Sequence, residues 1–417
     1  MTVAPSVLAA VFWGVVTFSI LVVLHEGGHF LAARAFGVKV HEFMIGLPGP
    51  ALRLRTKKTT FGVTAIPLGG YVRIAGMEPG PEDDLLADAL KAVADAGSLD
   101  AAGLSRVLGV DSTRATTLIT TLEDYGAIRE NSSGHYTIVE GLDPSLGAQE
   151  LLATARNETY RGLPPWKRIT LLLSGVLVNL ATAILVFTLV LSIFGNYEAS
   201  LRLDYVEPAS PAAAAGLEPG DVLTHLDGTE LTSWTHFQQL MAATEPGQEV
   251  SISFARDEKP HAVKAVLKDL EGHGFLGVRP AFVKVNYTAG EALGLSFKWT
   301  GMVFSAIGDF FRPSTFATSV ENSRSVVGIS VMAADAAQAG PLDYAWFIAL
   351  LSLSLGAMNL LPIPPLDGGK VAIEIIEWIA GRPLGRRLSL AVSAAGAILL
   401  FSLIGYLMYS DVMRLAR

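Results

Sequence analysis

The stretch Leu24-His25-Glu26-Gly27-Gly28-His29-Phe30 decides how this chain of 417 residues is interpreted. Residues four positions apart lie on one face of an α-helix, so His25 and His29 can bind one zinc ion while Glu26 reaches the water beside it. The eighteen residues from Val7 to Leu24 carry no charge, and polar side chains at the end of such a run are costly unless they have a function. The stretch therefore predicts a hydrolytic metal centre on a membrane helix, with a pair of satisfied core histidines as the alternative.

A third ligand is expected from far along the chain, in Asn359-Leu360-Leu361-Pro362-Ile363-Pro364-Pro365-Leu366-Asp367-Gly368-Gly369. Three prolines and two glycines break a helix, and non-helical backbone at membrane depth is tolerated where it is buried in protein or lines a cavity. Asp367 is the acidic residue of this apolar stretch, and its alternative role is to cap the next helix. Two histidines and a carboxylate leave one zinc position open for water, as in catalytic sites.

The chain resembles the site-2 protease family of intramembrane zinc metalloproteases, in particular its bacterial branch that carries PDZ domains and regulates sigma factors. The resemblance rests on three matches: the His25 to His29 motif, the stretch Ala65-Ile66-Pro67-Leu68-Gly69-Gly70-Tyr71-Val72, and Asn359 to Gly369. It implies Zn²⁺ held by His25, His29 and Asp367, with Glu26 as general base. It also implies that Asn359 donates to the developing oxyanion; the alternative is a hydrogen bond that only stabilises the broken helix.

The composition indicates a polytopic membrane protein, because 51% of the residues are hydrophobic and only 17% are charged. Four charge-free runs approach or exceed the roughly 20 residues that a spanning helix needs. They are Met1 to Leu24, Ile169 to Tyr197, Tyr344 to Leu366 and Leu388 to Ser410. The chain has no cysteine, which excludes disulfides and thiolate metal ligands.

The distribution of Lys and Arg predicts the orientation. Neither residue precedes the first run, whereas both are frequent between the first and second runs and again after the third. We therefore expect an inner-membrane protein with an extracytoplasmic N-terminus and a cytoplasmic first loop. Because His25 follows almost a full membrane thickness of helix, cleavage is expected near the cytoplasmic face.

Residues 37–81 are expected to form a membrane-associated β-loop. The alternation of apolar and polar residues between Thr59 and Ile74 predicts two short strands around the Pro67 to Gly70 turn. An ordinary surface hairpin is the alternative. The family resemblance implies instead a loop beside the zinc that presents a strand edge to an unwound substrate, a mode in which an extended peptide gains affinity by strand addition.

Residues 82–158 depart from the family. Helices are predicted at Asp84 to Ala96, Asp100 to Leu108 and Ser112 to Tyr125, followed by a hairpin at Ile128 to Val139. This order resembles a winged-helix domain, with a helical linker as the alternative. Glu82 to Glu158 contains fourteen acidic against five basic residues, a net charge of −9. Phosphate binding requires the opposite sign, so we expect a protein regulator here and not a nucleic acid.

The segment at 198–292 resembles one PDZ domain. The resemblance rests on Ser210-Pro211-Ala212-Ala213-Ala214-Ala215-Gly216-Leu217 and Pro219-Gly220-Asp221-Val222-Leu223, with a helix predicted at Trp234 to Ala242. Peptide binding and steric filtering of substrates are equal alternatives for it. In the second span Asn179 is assigned to tight helix packing, and Glu291 to Phe311 is predicted to be an interfacial helix.

The predicted fold class is a polytopic α-helical membrane protein with about four transmembrane helices, a membrane-associated β-loop, a cytoplasmic winged-helix-like insert and one extracytoplasmic PDZ domain. The predicted domains are 1–36 (first span with the zinc motif), 37–81 (β-loop), 82–158 (insert), 159–197 (second span), 198–292 (PDZ), 293–343 (amphipathic helix and linker), 344–370 (third span with the broken helix) and 371–417 (cytoplasmic loop and fourth span).

The predicted function is intramembrane proteolysis of single-span proteins, and the resembled branch suggests anti-sigma factors among them. A non-catalytic membrane scaffold that uses the PDZ and winged-helix modules is the rival hypothesis. It is disfavoured because Glu26 and all three ligand residues are present. A membrane-tethered soluble zinc peptidase is disfavoured because the motif lies at the end of a span.

Overall fold

The computed structural model describes residues 6–46, 48–56, 58–66, 69–77, 82–270 and 272–415. Two compact units are formed. The membrane unit comprises Met1–Phe187 with Leu293–Arg417, and the PDZ-like unit comprises Thr188–Ala292. Helices and strands are numbered below in chain order.

Helix α1 (Val7–Ala35) begins at Ser6, whose hydroxyl accepts a hydrogen bond from the Ala9 N–H. Its buried residues recur mostly at intervals of three or four positions. They are Ala10, Gly14, Thr17, Leu21, His25, Gly28, His29 and Ala33. This spacing forms one packed stripe along the helix, so both histidines of the metal motif lie on the face that contacts the rest of the protein.

A four-stranded sheet follows, with strands β1 (Val40–Ile45), β2 (Ala51–Arg55), β3 (Thr60–Thr64) and β4 (Gly70–Ile74). The strand order is β2-β3-β1-β4, in which β1 is parallel to β3 and antiparallel to β4. The two strands predicted between Thr59 and Ile74 are present as β3 and β4. They do not form the alternative surface hairpin, because β1 lies between them. Pro67 and Leu68, in the predicted turn, lie outside the described residues.

The inserted segment contains α2 (Leu86–Ala96), α3 (Ala101–Leu108), α4 (Ser112–Asp124), β5 (Ile128–Glu130), β6 (Tyr136–Ile138) and α5 (Ala148–Arg156). The predicted helices are present, with Asp100 and Asp111 accepting capping hydrogen bonds at the starts of α3 and α4. Strands β5 and β6 pair antiparallel. Leu90, Leu104 and Leu118 belong to one buried core, so the insert is a packed unit and not an extended linker.

The next elements are α6 (Pro165–Phe194), β7 (Asn196–Val206), α7 (Pro211–Ala214), β8 (Val222–Leu226), β9 (Thr229–Glu230), α8 (Trp234–Ala242), β10 (Glu249–Arg256), β11 (Lys259–Val266), β12 (Lys268–Leu270), β13 (His273–Phe275) and β14 (Val278–Val285). In the PDZ-like unit the main sheet has the order β11-β10-β8-β7-β14. The helix predicted at Trp234 to Ala242 is confirmed, and its Trp234 and Phe237 belong to the core of this unit.

The chain then forms α9 (Ala289–Asp309), α10 (Phe316–Asn322), α11 (Val326–Ala339), α12 (Pro341–Asn359), α13 (Asp367–Ala380) and α14 (Arg386–Leu415). Within the described residues, α1, α6, α12 and α14 are long and apolar enough to cross a membrane, as predicted. Helix α9 agrees with the predicted amphipathic helix in position, and its Trp299 packs between Phe187 and Trp346.

Helix α11 was not predicted. It packs against α1 so closely that Gly14 has no room for a side chain beside Ser330. At its start the Ser325 N–H donates to the buried carboxylate of Asp411 on α14, at 2.6 Å. Helix α11 thus contacts both α1 and α14.

Candidate metal centre

Helices α1 and α13 bring the three predicted metal ligands together. The Asp367 Oδ2 atom lies 2.9 Å from His25 Nε2 and 3.1 Å from His29 Nε2. One candidate ligand atom from each residue lies within 4.8 Å of the others. The three residues are 8%, 6% and 5% exposed, in chain order. Buried polar groups in such a cluster must form hydrogen bonds with one another or bind a cation.

The approach of Asp367 depends on a tight chain reversal after α12. A Cβ atom on Gly368 would collide with the Leu360 carbonyl, and one on Gly369 would collide with the Pro364 backbone. Asp367 is the first residue of α13, yet its carboxylate points to the histidines and makes no capping hydrogen bond. Its second oxygen, Oδ1, lies 3.2 Å from Lys370 Nζ. The structure therefore favours the ligand role over the capping role.

Helix α6 holds the far side of both imidazole rings. His29 Nδ1 lies 2.9 Å from the Leu171 carbonyl, and because a carbonyl only accepts, Nδ1 carries the proton that is donated. Asn179 Nδ2 lies 3.2 Å from His25 Nδ1, while its Oδ1 atom is buried and has no hydrogen-bond partner among the described residues. Sequence reasoning assigned Asn179 to packing alone, and the contact with His25 was missed because no spacing rule links distant helices.

Helices α1 and α6 cross at almost the closest distance that two backbones allow. A Cβ atom on Gly28 would lie 2.5 Å from the Ser174 carbonyl oxygen, and one on Gly175 would lie 2.5 Å from His29 Nε2. By contrast, a Cβ atom on Gly27 would meet nothing within 4 Å. The two glycines of the metal motif thus have different roles, and only Gly28 is required by packing.

The other two predicted site residues, Glu26 and Asn359, are not part of this cluster of three candidate ligands. Glu26 is partly exposed and lies in the electrostatic field of both histidines, Asp367 and Lys370. Asn359 ends α12 and is partly buried. Its side chain makes no hydrogen bond to the three ligand residues in the part of the chain described. The structure therefore brings His25, His29 and Asp367 into contact, whereas Asn359 lies before the non-helical stretch that leads to Asp367.

The donor set fits zinc, which accepts two imidazole nitrogens and a carboxylate oxygen and keeps a further position open in catalytic sites. The unpartnered Asn179 oxygen supports this fit. If the side-chain amide of Asn179 is rotated by 180°, its Oδ1 accepts a hydrogen bond from the Nδ1–H of His25. The lone pair on Nε2 of His25 then remains available to bind a metal. Apolar spanning helices around such a centre define a class of protein, the membrane-embedded metal-dependent hydrolases.

Within that class, the model of peptidase family M50 matches residues 13–403, and the chain belongs to this family. Zinc metalloprotease RasP of Shouchella clausii is 28% identical over 95% of this chain and 97% of its own length. RasP of Oceanobacillus iheyensis is 26% identical over 96% and 98%. A putative zinc metalloprotease of Brucella suis is 26% identical over 94% and 92%. The chain is a zinc metalloprotease, and zinc is its metal.

Solved structures similar to part of the chain include PDZ domains. The PDZ domain of the SdrC-like protein Lmo2051 from Listeria monocytogenes is 25% identical, with a TM-score of 0.18, and covers 20% of this chain and 87% of that chain. A second is the PDZ domain of the SdrC-like protein Lin2157 from Listeria innocua, at 22% identity, a TM-score of 0.18, and 22% and 98% coverage.

Proposed function

We propose that this zinc metalloprotease cleaves the transmembrane segments of single-span proteins near the cytoplasmic face of the inner membrane. The observation that carries the proposal is the convergence of His25, His29 and Asp367 at the end of an apolar helix. In a soluble peptidase the same ligands would lie in a water-exposed cleft. Here the buried stripe of α1 leads directly from the spanning segment to the ligands.

The proposed chemistry assigns each residue one task. His25, His29 and Asp367 would hold the zinc ion, which would supply a Lewis acid for activating water and polarising the scissile carbonyl. Glu26, beside His25 and partly exposed, takes the proton from the attacking water and delivers it to the leaving nitrogen. Asn359 donates a hydrogen bond to the carbonyl oxygen as negative charge develops there.

The substrate class follows from the site and the proposed topology. A transmembrane helix must become extended before its backbone can be cut, and the four-stranded sheet beside α1 offers a strand edge for it. We propose that the PDZ-like unit lies outside the cytoplasm and excludes substrates that still carry bulky ectodomains. The proposed order is removal of the ectodomain first and cleavage inside the membrane second. This order is compatible with the release of regulators such as anti-sigma factors.

For the insert we propose a protein partner with a basic surface. Its net charge of −9 over Glu82 to Glu158 opposes binding to phosphate backbones. It is also firmly docked: Asp124 Oδ2 accepts from the Gly76 N–H at 2.7 Å, and the Lys39 N–H donates to the Glu158 carbonyl at 2.8 Å. A partner that displaces the insert would therefore act on the sheet next to the metal centre.

The test uses the purified protein in vesicles with a single-span substrate and maps the cut by mass spectrometry. The proposal expects a cut inside the apolar segment, in its cytoplasmic half. Chelation should abolish cleavage and added zinc should restore it. A cut confined to the water-exposed flanks would contradict intramembrane cleavage, even if the reaction depended on zinc.

A further inference from the structure

Helix α13, which carries Asp367, has a buried charged side chain beyond its first turn. Four of its fourteen residues are buried, and three of these, Asp367, Gly368 and Gly369, lie at its start. The fourth is Glu374, which is 5% exposed. Glutamate is almost never fully buried unless it is paired. The burial of Glu374 on the helix that supplies a candidate metal ligand therefore requires a physical explanation.

Apolar packing gives α13 little support beyond its first turn. Val371 is partly buried against the apolar cluster near α1. The inner side of the helix, however, borders a cavity of about 710 Å³, which is lined by Lys370, Ile373, Glu374 and Glu377. Apolar side chains on the rest of the helix are exposed, namely Ile375, Ile376, Trp378 and Ile379. Dispersion contacts fix a helix only when they are numerous, so the rotation of α13 about its axis depends on other interactions.

Glu374 has partners on two other segments of the membrane unit. Its Oε2 atom accepts a hydrogen bond from the Tyr160 hydroxyl at 3.0 Å, and its Oε1 atom lies 3.1 Å from Nη2 of Arg168. Tyr160 begins a single helical turn (Tyr160–Gly162), and its N–H donates to the carbonyl of Ala75 at 2.8 Å. Arg168 lies in the first turn of α6. Tyr160, Arg168 and Glu374, called here the Glu374 cluster, thus join α13 to α6 and to the end of β4.

The Glu374 cluster links the two helices that hold opposite sides of the metal centre. On α6, Arg168 lies one turn before Leu171, whose carbonyl fixes His29 Nδ1 at 2.9 Å. On α13, Glu374 follows Asp367 by about two turns, on the same face and about 10 Å along the axis. Asp367 Oδ2 in turn lies 3.1 Å from His29 Nε2. A rotation of α13 that moved Glu374 away from Arg168 would therefore also move the Asp367 carboxylate away from His29.

The pair of Arg168 and Glu374 is not arranged for stability alone. Oε1 of Glu374 lies near Arg168 without hydrogen-bond geometry, and Nε of Arg168 has no hydrogen-bond partner among the described residues. Removing two charges from water is costly, and replacing a buried ion pair by apolar side chains is often neutral or stabilising. A role that such pairs fulfil in some proteins is to select one arrangement of the elements that they join.

We infer that Glu374 is a positioning residue for the metal centre. Through Arg168 and Tyr160 it fixes the rotation of α13, and it thereby holds the Asp367 carboxylate where it can share one metal ion with the two histidines. The inference rests on that part of the proposed function in which Asp367 is a zinc ligand. It does not depend on the identity of the substrate or on where the substrate is cut.

The test compares zinc affinity, measured by competition with a chromophoric chelator, with the melting temperature of the metal-free full-length protein. Glu374→Gln keeps the side-chain size and an oxygen that accepts from Tyr160, but it removes the charge that attracts Arg168. We expect zinc affinity to fall by about tenfold or more without a fall in the metal-free melting temperature. Glu377→Gln is the matched control, because it removes the same charge one turn later and keeps an acceptor for the Leu384 N–H. Its zinc affinity should equal that of the wild type.

A double variant keeps the test decisive if Glu374→Gln folds poorly. Arg168→Met with Glu374→Met replaces the ion pair by apolar side chains, and its metal-free melting temperature should match or exceed that of the wild type. Its zinc affinity should still fall by about tenfold or more. The absorption spectrum of the Co²⁺-loaded protein should also change, because it depends on the geometry of the ligands.

Three results would overturn the inference. They are wild-type zinc affinity in the double variant, an equal loss of affinity in Glu374→Gln and Glu377→Gln, and a loss of affinity that follows the metal-free melting temperature across the variants. Asp367→Ala distinguishes a failure of the proposed function. If Asp367→Ala bound zinc as the wild type does, the assigned ligand set would be wrong, whatever the Glu374 variants showed.

Discussion

At the metal centre, each histidine presents one ring nitrogen to Asp367 and the other to a group on α6. His29 is fixed by the Leu171 carbonyl, whereas His25 depends on Asn179. Outer partners of this kind set the ring orientation and decide which nitrogen carries the proton. Asn179 is in turn held in place, because its backbone carbonyl accepts from Ser352 of α12 at 2.9 Å.

Asn179→Leu should therefore weaken zinc binding. Removal of an outer partner typically reduces metal affinity by about 10–100-fold, and we expect a loss in that range, measured by competition with a chromophoric chelator. Asn179→Asp is the matched control, because it keeps an oxygen that accepts from the His25 Nδ1–H. Wild-type affinity in Asn179→Leu would show that Asn179 acts only in helix packing.

A second prediction for single residues compares Gly27 and Gly28, the adjacent glycines of the motif. Gly28→Ala forces a Cβ atom to within 2.5 Å of the Ser174 carbonyl oxygen, so α1 and α6 must separate. A displacement of about 1 Å at a catalytic site can cost about 100-fold in rate. We expect Gly28→Ala to lose zinc affinity and thermal stability.

Gly27→Ala is the control for that substitution. Its Cβ atom meets nothing within 4 Å, and alanine is favoured over glycine inside a helix by roughly 0.5–1 kcal/mol. Zinc affinity should be retained and the melting temperature should not fall. If both alanine variants behaved alike, the close crossing of α1 and α6 would not be what holds the site.

At the scale of elements, one cation holds two neighbouring carboxylates near the start of the insert. Arg114 of α4 donates to Asp83 from Nε at 2.9 Å and from Nη2 at 2.7 Å, and it also pairs with Asp84. The Arg114 hydrogen bond lowers the pKa of Asp83 from 3.8 to about 2. Because the folded pKa is the lower one, this stabilisation is fully present above about pH 4 and is lost as the pH falls through about 2.

Arg114→Gln should therefore loosen the insert at neutral pH and have little effect in strong acid. Hydrogen exchange of α2 and α4 amides, corrected for intrinsic rates, should be faster in the variant at pH 5–7. The difference should narrow between about pH 4 and pH 2. A difference that is constant over this range would assign the effect to lost packing of the arginine stem.

Sequence patterns predicted some elements well and others poorly, for physical reasons. The zinc motif, the apolar spans and helix α8 follow from composition, periodicity and capping over many consecutive residues. Strand β1 was missed because Val40–Ile45 includes the charged Glu42 next to His41, which interrupts the apolar pattern. Its parallel pairing with β3 depends on tertiary contacts that no local pattern encodes. Helix α11 was missed because its fourteen residues are mostly apolar, with no clear polar face, and are too few for a span.

The site itself was predictable only in part. The clustering of His25, His29 and Asp367 could be predicted because metal ligands need particular residue types in unusual surroundings. Asn179, Leu171 and Gly175 could not, because their roles arise where α6 crosses α1. A backbone carbonyl such as that of Leu171 leaves no sequence signal at all.

At the scale of the whole molecule, the PDZ-like unit begins and ends at neighbouring positions. Asn196 of β7 pairs with Val285 of β14, so residues 197–284 can be replaced by a short Gly/Ser linker without stretching the chain. If the unit filters by size, this variant should cut a substrate whose folded ectodomain has not been trimmed. The measurement compares trimmed and untrimmed substrates in vesicles. Loss of cleavage of the trimmed substrate would instead identify a docking site.

The central claim is that His25, His29 and Asp367 hold the catalytic zinc and that Glu26 is the base that uses it. The most direct measurement determines zinc content and substrate cleavage together in the wild-type, Glu26→Gln and Asp367→Ala proteins. We expect about one zinc per chain in the wild type and in Glu26→Gln, with cleavage abolished in Glu26→Gln, and loss of both zinc and cleavage in Asp367→Ala. Undiminished cleavage by Glu26→Gln, or full zinc content in Asp367→Ala, would contradict the account.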